Sequence, residues 1–239
     1  MSTSAILILM FLASPGVFSQ TDTQSIATQT TIPKWNNIWK VSNYDLPRET
    51  ANHQRFFRPE NVKDSPTSIV LTLDQKNTDH GIESIGGEIV SQTLFGFGTF
   101  QFSADMPMGV SGTVSAGFLY LSDSETEIDV EQQGCKPGRF DFTNWTSESK
   151  QLKKNSDATG FDPGPHRFVI VWTPKKIEWS IDGVMVATHI EKIPQKEAHF
   201  IFNLWGTNSP DWGGTATTDH QRQMTVSSFN FTPLTIGLH

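Results

Sequence analysis

The sequence is poor in charged residues, and those that are present are mostly acidic. Asp, Glu, Lys and Arg make up 18% of the 239 residues, and the formal net charge is −7. Nothing in the sequence resembles a basic stripe, so a nucleic-acid partner is not expected. The same negative charge disfavours a polyanionic polymer, such as a pectate or a sulfated glycan, as a ligand.

The chain has a single cysteine, Cys135, which excludes an internal disulfide. Secreted domains often depend on such bridges, so the stability of this chain must come from its core. No motif for a nucleophilic thiol accompanies Cys135, and we expect a buried, unreactive side chain there.

Long apolar runs are also missing. The apolar segment near the start, Ala5–Ala13, is too short to span a bilayer, and no later segment reaches about 18 apolar residues. With the small residues Val17 and Ser19 it predicts a signal peptide over residues 1–19, and therefore a secreted, extracellular protein without a membrane anchor. Residues 20–31 are rich in Thr, Gln and Ser and predict a disordered leader.

Short strand-like segments separated by turn residues fill the remainder of the chain. Gly98–Ala104 alternates apolar and polar residues, and Asp182-Gly183 is a hairpin signal. No segment shows a sustained helical period. The pattern predicts one all-β domain over residues 32–236, built as a two-sheet antiparallel β-sandwich or jelly roll. The predicted strands are Ser68–Leu73, Gly98–Ala104, Thr113–Leu121, Arg167–Thr173, Lys176–Ile181, Val184–Thr188, Phe200–Trp205 and Met224–Phe231.

The most informative segment is Thr126–Glu131, in which Glu127, Asp129 and Glu131 alternate with Ile and Val. Because strand side chains alternate between faces, the three carboxylates share one face. Three like charges in a row repel one another, so we expect this arrangement to serve a function. Retaining glycoside hydrolysis is such a function, since it needs a carboxylate nucleophile and a carboxylic acid about 5–5.5 Å apart. A central Asp can share a proton with its neighbours, and the three would titrate as a coupled set.

Two other interpretations of this strand stay open on the pattern alone. One is a solvated acidic face without function. The other is a calcium site built from the same oxygens, although no clear calcium motif accompanies it. We expect no cofactor, and a structural calcium ion elsewhere in the chain stays possible but has no clear motif.

At these residues the chain resembles glycoside hydrolase family 16, whose signature E-[IL]-D-x-E is matched by Glu127–Glu131 and followed by Gly134. Other segments resemble the family in the same order along the chain. The resemblance implies a concanavalin A-like two-sheet jelly roll with a cleft on its concave sheet, and a polysaccharide substrate. The further matching segments are Gly87–Phe100, Val114–Tyr120, Phe168–Val186, Phe202–Trp205 and Asp211-Trp212.

The resemblance also implies roles for individual residues. Glu127 is implied as the nucleophile, Glu131 as the general acid/base and Asp129 as the assisting carboxylate. No extra residue separates Asp129 from Glu131, as in family members such as lichenases and transglycosylases that act on neutral glucans. The residues that match the family's substrate contacts are Glu88, Phe118, Tyr120, Trp145, Asn203, Trp205 and Trp212.

Several neighbours depart from the lichenase pattern. Glu125 stands where lichenases have a tryptophan, and Thr126 where they have an acidic residue. Val90 replaces an arginine, while Asp141 and Thr143 stand where Gln and Asn are expected. The substrate subsites are therefore altered relative to those of lichenases.

The sequence is consistent with three functions. The leading hypothesis is a secreted retaining endo-β-glucanase, a monomer that hydrolyses neutral β-1,3/1,4- or β-1,3-glucan. The second is a transglycosylase acting on cell-wall glucan, chitin or xyloglucan. The third is a non-catalytic, lectin-like carbohydrate-binding protein, against which the complete carboxylate set argues. Two sequons, at Asn144 and Asn230, predict N-glycosylation.

Overall fold

The computed structural model describes residues 38–47, 54–121, 126–146, 153–219 and 221–235. The predicted signal peptide, 1–19, and leader, 20–31, lie outside these residues. Regular structure in the described ranges consists of β-strands and one 3-10 turn, Pro59–Asn61. None of the helices described there has the length and apolar character needed to cross a membrane.

The strands are short, as the turn spacing predicts, and they are numbered in chain order. They are β1 Trp39–Val41, β2 Tyr44–Asp45, β3 Gln54–Phe57, β4 Val62–Asp64, β5 Ile69–Thr78, β6 Gly81–Phe95, β7 Gly98–Asp105, β8 Thr113–Tyr120, β9 Glu127–Gln133, β10 Arg139–Trp145, β11 Lys153–Thr159, β12 Pro165–Trp172, β13 Ile177–Ile181, β14 Val184–His189, β15 Ala198–Gly206 and β16 Arg222–Pro233.

Most of these strands belong to two packed layers. The first layer has the order β11-β10-β9-β8-β15-β6, and the second has the order β5-β16-β7-β12-β13-β14. The β5–β6 hairpin joins the two layers. The described pairings are antiparallel except for β3 with β6, which is parallel. The predicted all-β sandwich is therefore confirmed.

The core lies between the layers and is dominated by phenylalanine rings. Phe102 of β7 meets Phe202 of β15 edge-on, with ring centroids 5.1 Å apart. Phe140 of β10 meets Phe168 of β12 at the same centroid distance, 5.1 Å. Edge-to-face pairs of buried rings stabilise a core beyond the area that they bury. The packed phenylalanine rings between the layers therefore stabilise a domain that has no internal disulfide.

Gly117 on β8 faces two phenylalanine rings of the core. A Cβ atom there would lie 2.9 Å from the Phe102 ring and 3.0 Å from the Phe202 ring. Non-bonded carbon atoms prefer about 3.5–4.0 Å, so any side chain would push a core ring aside. Glycine therefore lets β8 pack flat on the core while its outer face carries functional side chains.

Cys135 lies in the turn after β9 and is half-buried. The expectation of a buried thiol was wrong, because Cys135 lies in the turn at the ends of β9 and β10 and not on a strand between the layers.

Candidate active site

β9 presents Glu127, Asp129 and Glu131 on the outer face of the first layer, away from the core. The alternating Ile128 and Val130 are 0% and 1% exposed and belong to the core. β8 and β10 pair with β9 on its two sides. A slip of one residue would bury the carboxylates, so the apolar pair fixes the register and the direction of the acidic side chains.

The residues directly opposite the three carboxylates share their face. Side chains opposite one another in antiparallel strands have Cβ atoms about 4.5–5.5 Å apart, so each row is a set of direct neighbours. Aromatic residues lie on both sides of Glu127 and on one side of Asp129, and a fourth carboxylate faces Glu131. The rows are Tyr120–Glu127–Trp145, Phe118–Asp129–Thr143 and Ala116–Glu131–Asp141.

Burial shifts the proton affinity of the carboxylate row. It raises the pKa of Glu127 from an ordinary value of 4.5 to about 8. Burial, followed by the negative charges of Glu127 and Glu131, raises the pKa of Asp129 well above its ordinary value. The Oε2 atom of Glu127 is buried and accepts no hydrogen bond from the described residues. Glu127 and Asp129 therefore share protons at neutral pH, as expected for a coupled set.

A separate buried carboxylate, Glu88 on β6, lies opposite Asn203 on β15. Its Oε1 atom accepts hydrogen bonds from Ser42 Oγ at 2.7 Å and from the Tyr44 hydroxyl at 3.1 Å. Its Oε2 atom accepts one from Asn203 Nδ2 at 3.3 Å. Burial raises the pKa of Glu88 to about 7, and these hydrogen bonds oppose the shift.

Asn203 connects this cluster to the carboxylate row. It lies opposite Ala116, which in turn lies opposite Glu131, so Asn203 shares the face of the three carboxylates. Its Oδ1 atom is buried and receives no hydrogen bond from the part of the chain that the structure describes. A buried acceptor without a donor favours binding of a hydroxyl group.

The predicted aromatic contacts are less exposed than a stacking surface requires. Trp145 is 3% exposed and Trp205 is 7% exposed. Trp212, in the segment after β15, is half-buried and packs against the cluster that contains Trp205. Phe118 and Tyr120 are also buried, and their rings meet edge-on. Trp212 thus offers more open ring surface than these four, and a substrate role for all five stays a prediction.

Some polar neighbours of the site were not assigned from the sequence. Ser42 and Tyr44 follow the short strand β1 and are two residues apart. Such a short segment shows no sequence pattern that would indicate a role in the site. In the sequence, Asp141 differs from the lichenase pattern but carries no signal for a role in the site. The Oδ2 atom of Asp141 accepts a hydrogen bond from Gln133 Nε2 at 2.7 Å, and its Oδ1 atom accepts one from Arg139 Nε at 3.0 Å.

The predicted glycosylation of Asn144 is contradicted by its position. Asn144 is 0% exposed, and its Nδ2 atom donates hydrogen bonds to the backbone oxygens of Glu191 and Lys192. A glycan would replace one hydrogen of that nitrogen, break at least one of these bonds and place a sugar where the side chain is fully buried. Asn230 on β16 is half-buried, and its glycosylation stays a prediction.

Metal ligation is not indicated by the described side chains. Across the ranges in the structure, no three or more His, Cys, Asp or Glu residues converge as cation ligands would.

Known proteins share both the sequence pattern and the fold. The model of Glycosyl hydrolases family 16 matches residues 49–225. A Beta-glucanase of Bacillus subtilis (strain 168) is 30% identical over 135 residues, which cover 54% of this chain and 55% of that protein. Xyloglucan endotransglycosylase/hydrolase protein 8 of Oryza sativa subsp. japonica is 30% identical over 127 residues, 50% of this chain and 41% of that protein.

Each of these relatives is matched over less than two thirds of its own length. Among solved structures, the Bacillus licheniformis beta-glucanase superposes with a TM-score of 0.74 at 20% identity. The superposition covers 84% of this chain and 95% of that one, and it confirms the predicted jelly roll. The family match spans most of the chain and includes the whole carboxylate strand, so this protein belongs to glycosyl hydrolases family 16.

Proposed function

We propose that the protein is a secreted, retaining endo-β-glucanase that hydrolyses neutral β-1,3/1,4- or β-1,3-glucan. One observation carries the proposal. The buried, unbonded Oε2 atom of Glu127 stands in one outward row with Asp129 and Glu131. Membership of the family and the likeness to the Bacillus subtilis Beta-glucanase support it.

The first chemical step forms a glycosyl–enzyme ester. Glu127 attacks the anomeric carbon with a carboxylate oxygen, and a bond from that carbon to Glu127 forms as the glycosidic bond breaks. Glu131 gives its proton to the departing glycosidic oxygen, so the leaving sugar departs as an alcohol. The buried Oε2 atom has no hydrogen bond to give up before it attacks.

The second step releases the donor sugar. Glu131, now ionised, takes a proton from water, and the water oxygen attacks the anomeric carbon. The ester bond to Glu127 breaks, and the anomeric configuration of the substrate is restored. Two inversions at one carbon make the overall reaction retaining.

Asp129 stabilises the charge states that these steps need. It lies between the other two carboxylates, and their charges together with burial raise its pKa. A protonated Asp129 carries no charge, so it adds no repulsion to an ionised Glu127. One negative charge can then rest on Glu127 while Glu131 keeps the proton for the leaving group.

The charge of this face favours a neutral polymer. It carries one guanidinium, that of Arg139, and five carboxyl groups on three adjacent strands, those of Glu127, Asp129, Glu131, Asp141 and Asp157. A carboxylated or sulfated chain would be repelled at close range, whereas the hydroxyls of a neutral glucan can donate hydrogen bonds to these oxygens.

The test is the activity of a Glu127→Gln variant on lichenan, laminarin, xyloglucan and chitin oligomers. The wild type should cleave at least one of the β-glucans, and the variant should lose essentially all of that turnover. Glu60→Gln is the matched control, because Glu60 is exposed in the 3-10 turn, away from β9. Wild-type turnover by Glu127→Gln would contradict the proposal.

Transglycosylation is a second candidate, favoured by the match to the Oryza sativa endotransglycosylase/hydrolase. The same ester would then pass its sugar to a hydroxyl of another glycan instead of water. Product analysis separates the two functions, since transfer yields oligosaccharides longer than the substrate.

Secretion is proposed on residues 1–19 alone. Expression in a secreting host should release a mature chain that begins at Gln20, which N-terminal mass analysis would detect.

A further inference from the structure

β10 and β11 carry a charged cluster on the same face as the carboxylate row. Asp141 lies directly opposite Glu131, and Asp157 lies directly opposite Asp141. β11 is the end strand of the first layer. The row Glu131–Asp141–Asp157 therefore runs from the proposed general acid/base to the end strand of this layer.

Asp141 anchors this cluster. Its Oδ1 atom accepts hydrogen bonds from Arg139 Nε at 3.0 Å and Nη2 at 2.6 Å. Its Oδ2 atom accepts one from Gln133 Nε2 at 2.7 Å, and Gln133 Oε1 accepts one from Gly213 N at 3.1 Å. Both Asp141 and Gln133 are buried. The guanidinium of Arg139 is thus held in one orientation by groups that solvent hardly reaches.

Arg139 and Asp157 are the accessible members of the cluster. Arg139 Nη2 lies 3.0 Å from Asp157 Oδ2, and the two side chains are 33% and 45% exposed. Among the described residues, Arg139 Nη1 and Asp157 Oδ1 take part in no hydrogen bond. A fixed charged donor therefore lies beside a charged acceptor.

Such a pair matches two neighbouring hydroxyls of a sugar ring. Each hydroxyl can donate one hydrogen bond and accept others, so one can accept from Nη1 while the next donates to Oδ1. Hydrogen bonds to charged partners are stronger than those between neutral groups. The orientation of Arg139 is already fixed by Asp141, so little order is lost when a sugar binds.

The depth of the two sides of β9 indicates which sugar each side takes. Glu88 and Asn203, on one side, are 0% and 4% exposed and form a buried polar cluster. Such enclosed contacts suit the donor sugar, whose distortion toward the transition state needs the most binding energy. On the other side Asp141 is 6% exposed, but the row continues to Arg139 and Asp157, whose side chains are 33% and 45% exposed, as a site for a sugar that leaves or arrives requires.

We propose that Arg139 and Asp157 bind the sugar on the acceptor side of the scissile bond, the leaving group of the first step and the incoming glycan in transfer. This inference rests on the proposed function. It makes the two side chains specificity-determining residues that discriminate between a sugar and a plain aromatic leaving group.

The test compares two substrates that share a donor. One is a β-glucan oligosaccharide, and the other is the nitrophenyl β-glycoside of the same donor oligosaccharide, whose leaving group is not a sugar. In Asp157→Ala, kcat/KM should fall roughly tenfold on the oligosaccharide, the effect of one hydrogen bond to a charged group. On the nitrophenyl glycoside it should stay unchanged. Arg139→Lys keeps the positive charge but loses the planar guanidinium with its several N–H donors. It should likewise lower kcat/KM on the oligosaccharide and leave kcat/KM on the nitrophenyl glycoside unchanged.

Asp64→Ala is the matched control. It removes the same charge from an exposed position on β4, which pairs with β5 of the second layer. It should change neither rate. Folding is not expected to limit the Asp157→Ala variant, since an exposed ion pair contributes only about 0–1 kcal/mol.

The outcomes separate this inference from the proposed function. Equal losses on both substrates, or no loss on either, would overturn the acceptor-side role while leaving the hydrolase intact. A wild-type protein that cleaves neither substrate would overturn the proposed function itself, and this inference with it.

Discussion

Replacing Glu127 by Gln should stabilise the folded protein at alkaline pH. Burial raises the pKa of Glu127 to about 8, whereas the unfolded chain titrates near 4.5. Between those pH values the folded state binds more protons than the unfolded state, so stability falls as pH rises from about 4.5 to about 8. Glutamine has nearly the same shape and no charge, so the variant does not lose this stability.

The size of the effect follows from the shift. A displacement from 4.5 to about 8 corresponds to at most about 5 kcal/mol at high pH. Glu127 is partly exposed, and Asp129 can hold a proton in its place. We therefore expect the variant to be more stable by about 1–3 kcal/mol above pH 8 and equal to the wild type near pH 4.

Urea unfolding at about pH 4 and about pH 9 measures both quantities. Glu60→Gln, which neutralises an exposed carboxylate outside the site, should show no comparable pH-dependent gain. The reasoning would be refuted if Glu127→Gln differed from the wild type by the same amount at both pH values, or were less stable at the higher one.

Further predictions concern the surroundings of the site. Tyr44→Phe removes the hydroxyl that donates to Glu88 and should lower the free energy of unfolding by about 0.5–1.5 kcal/mol in urea. Burial lowers the pKa of His166, but its hydrogen bond to Asp182 raises it overall. That stabilisation is complete below the unfolded value of about 6.5 and is lost as pH rises through the folded value, so His166→Gln should lose less than about 1 kcal/mol, and only at acidic pH. Gly117→Ala should cost about 1–3 kcal/mol in thermal unfolding, because its methyl group meets two core rings.

The carboxylate strand could be predicted because its information is local. Glu127, Asp129 and Glu131 alternate with two core residues, so a period of two and the pairing on both sides determine their face. The same alternation places Asn144 on the core face, two residues after Phe142. A sequon alone carries no information about burial, and reading it with the strand period would have excluded that glycosylation site.

The polar neighbours of the site could not be predicted, because they depend on contacts distant in sequence. Ser42 and Tyr44 reach Glu88 across 46 and 44 positions of the chain, and no local pattern encodes those bonds. β11 was missed for a different reason. It is an end strand of polar composition, Lys153–Thr159, so it shows little of the apolar alternation that marks a strand with a buried face.

Glu127 is the proposed nucleophile of a retaining hydrolase, and a trapped ester would identify it directly. Incubation with a 2-deoxy-2-fluoro β-glucosyl oligosaccharide that carries a good leaving group should trap the ester of the first step, because fluorine slows its hydrolysis. Peptide mass spectrometry then locates the label. We predict a single adduct on Glu127, and an adduct on Asp129 or Glu131, or none in protein that turns over glucan, would contradict the account.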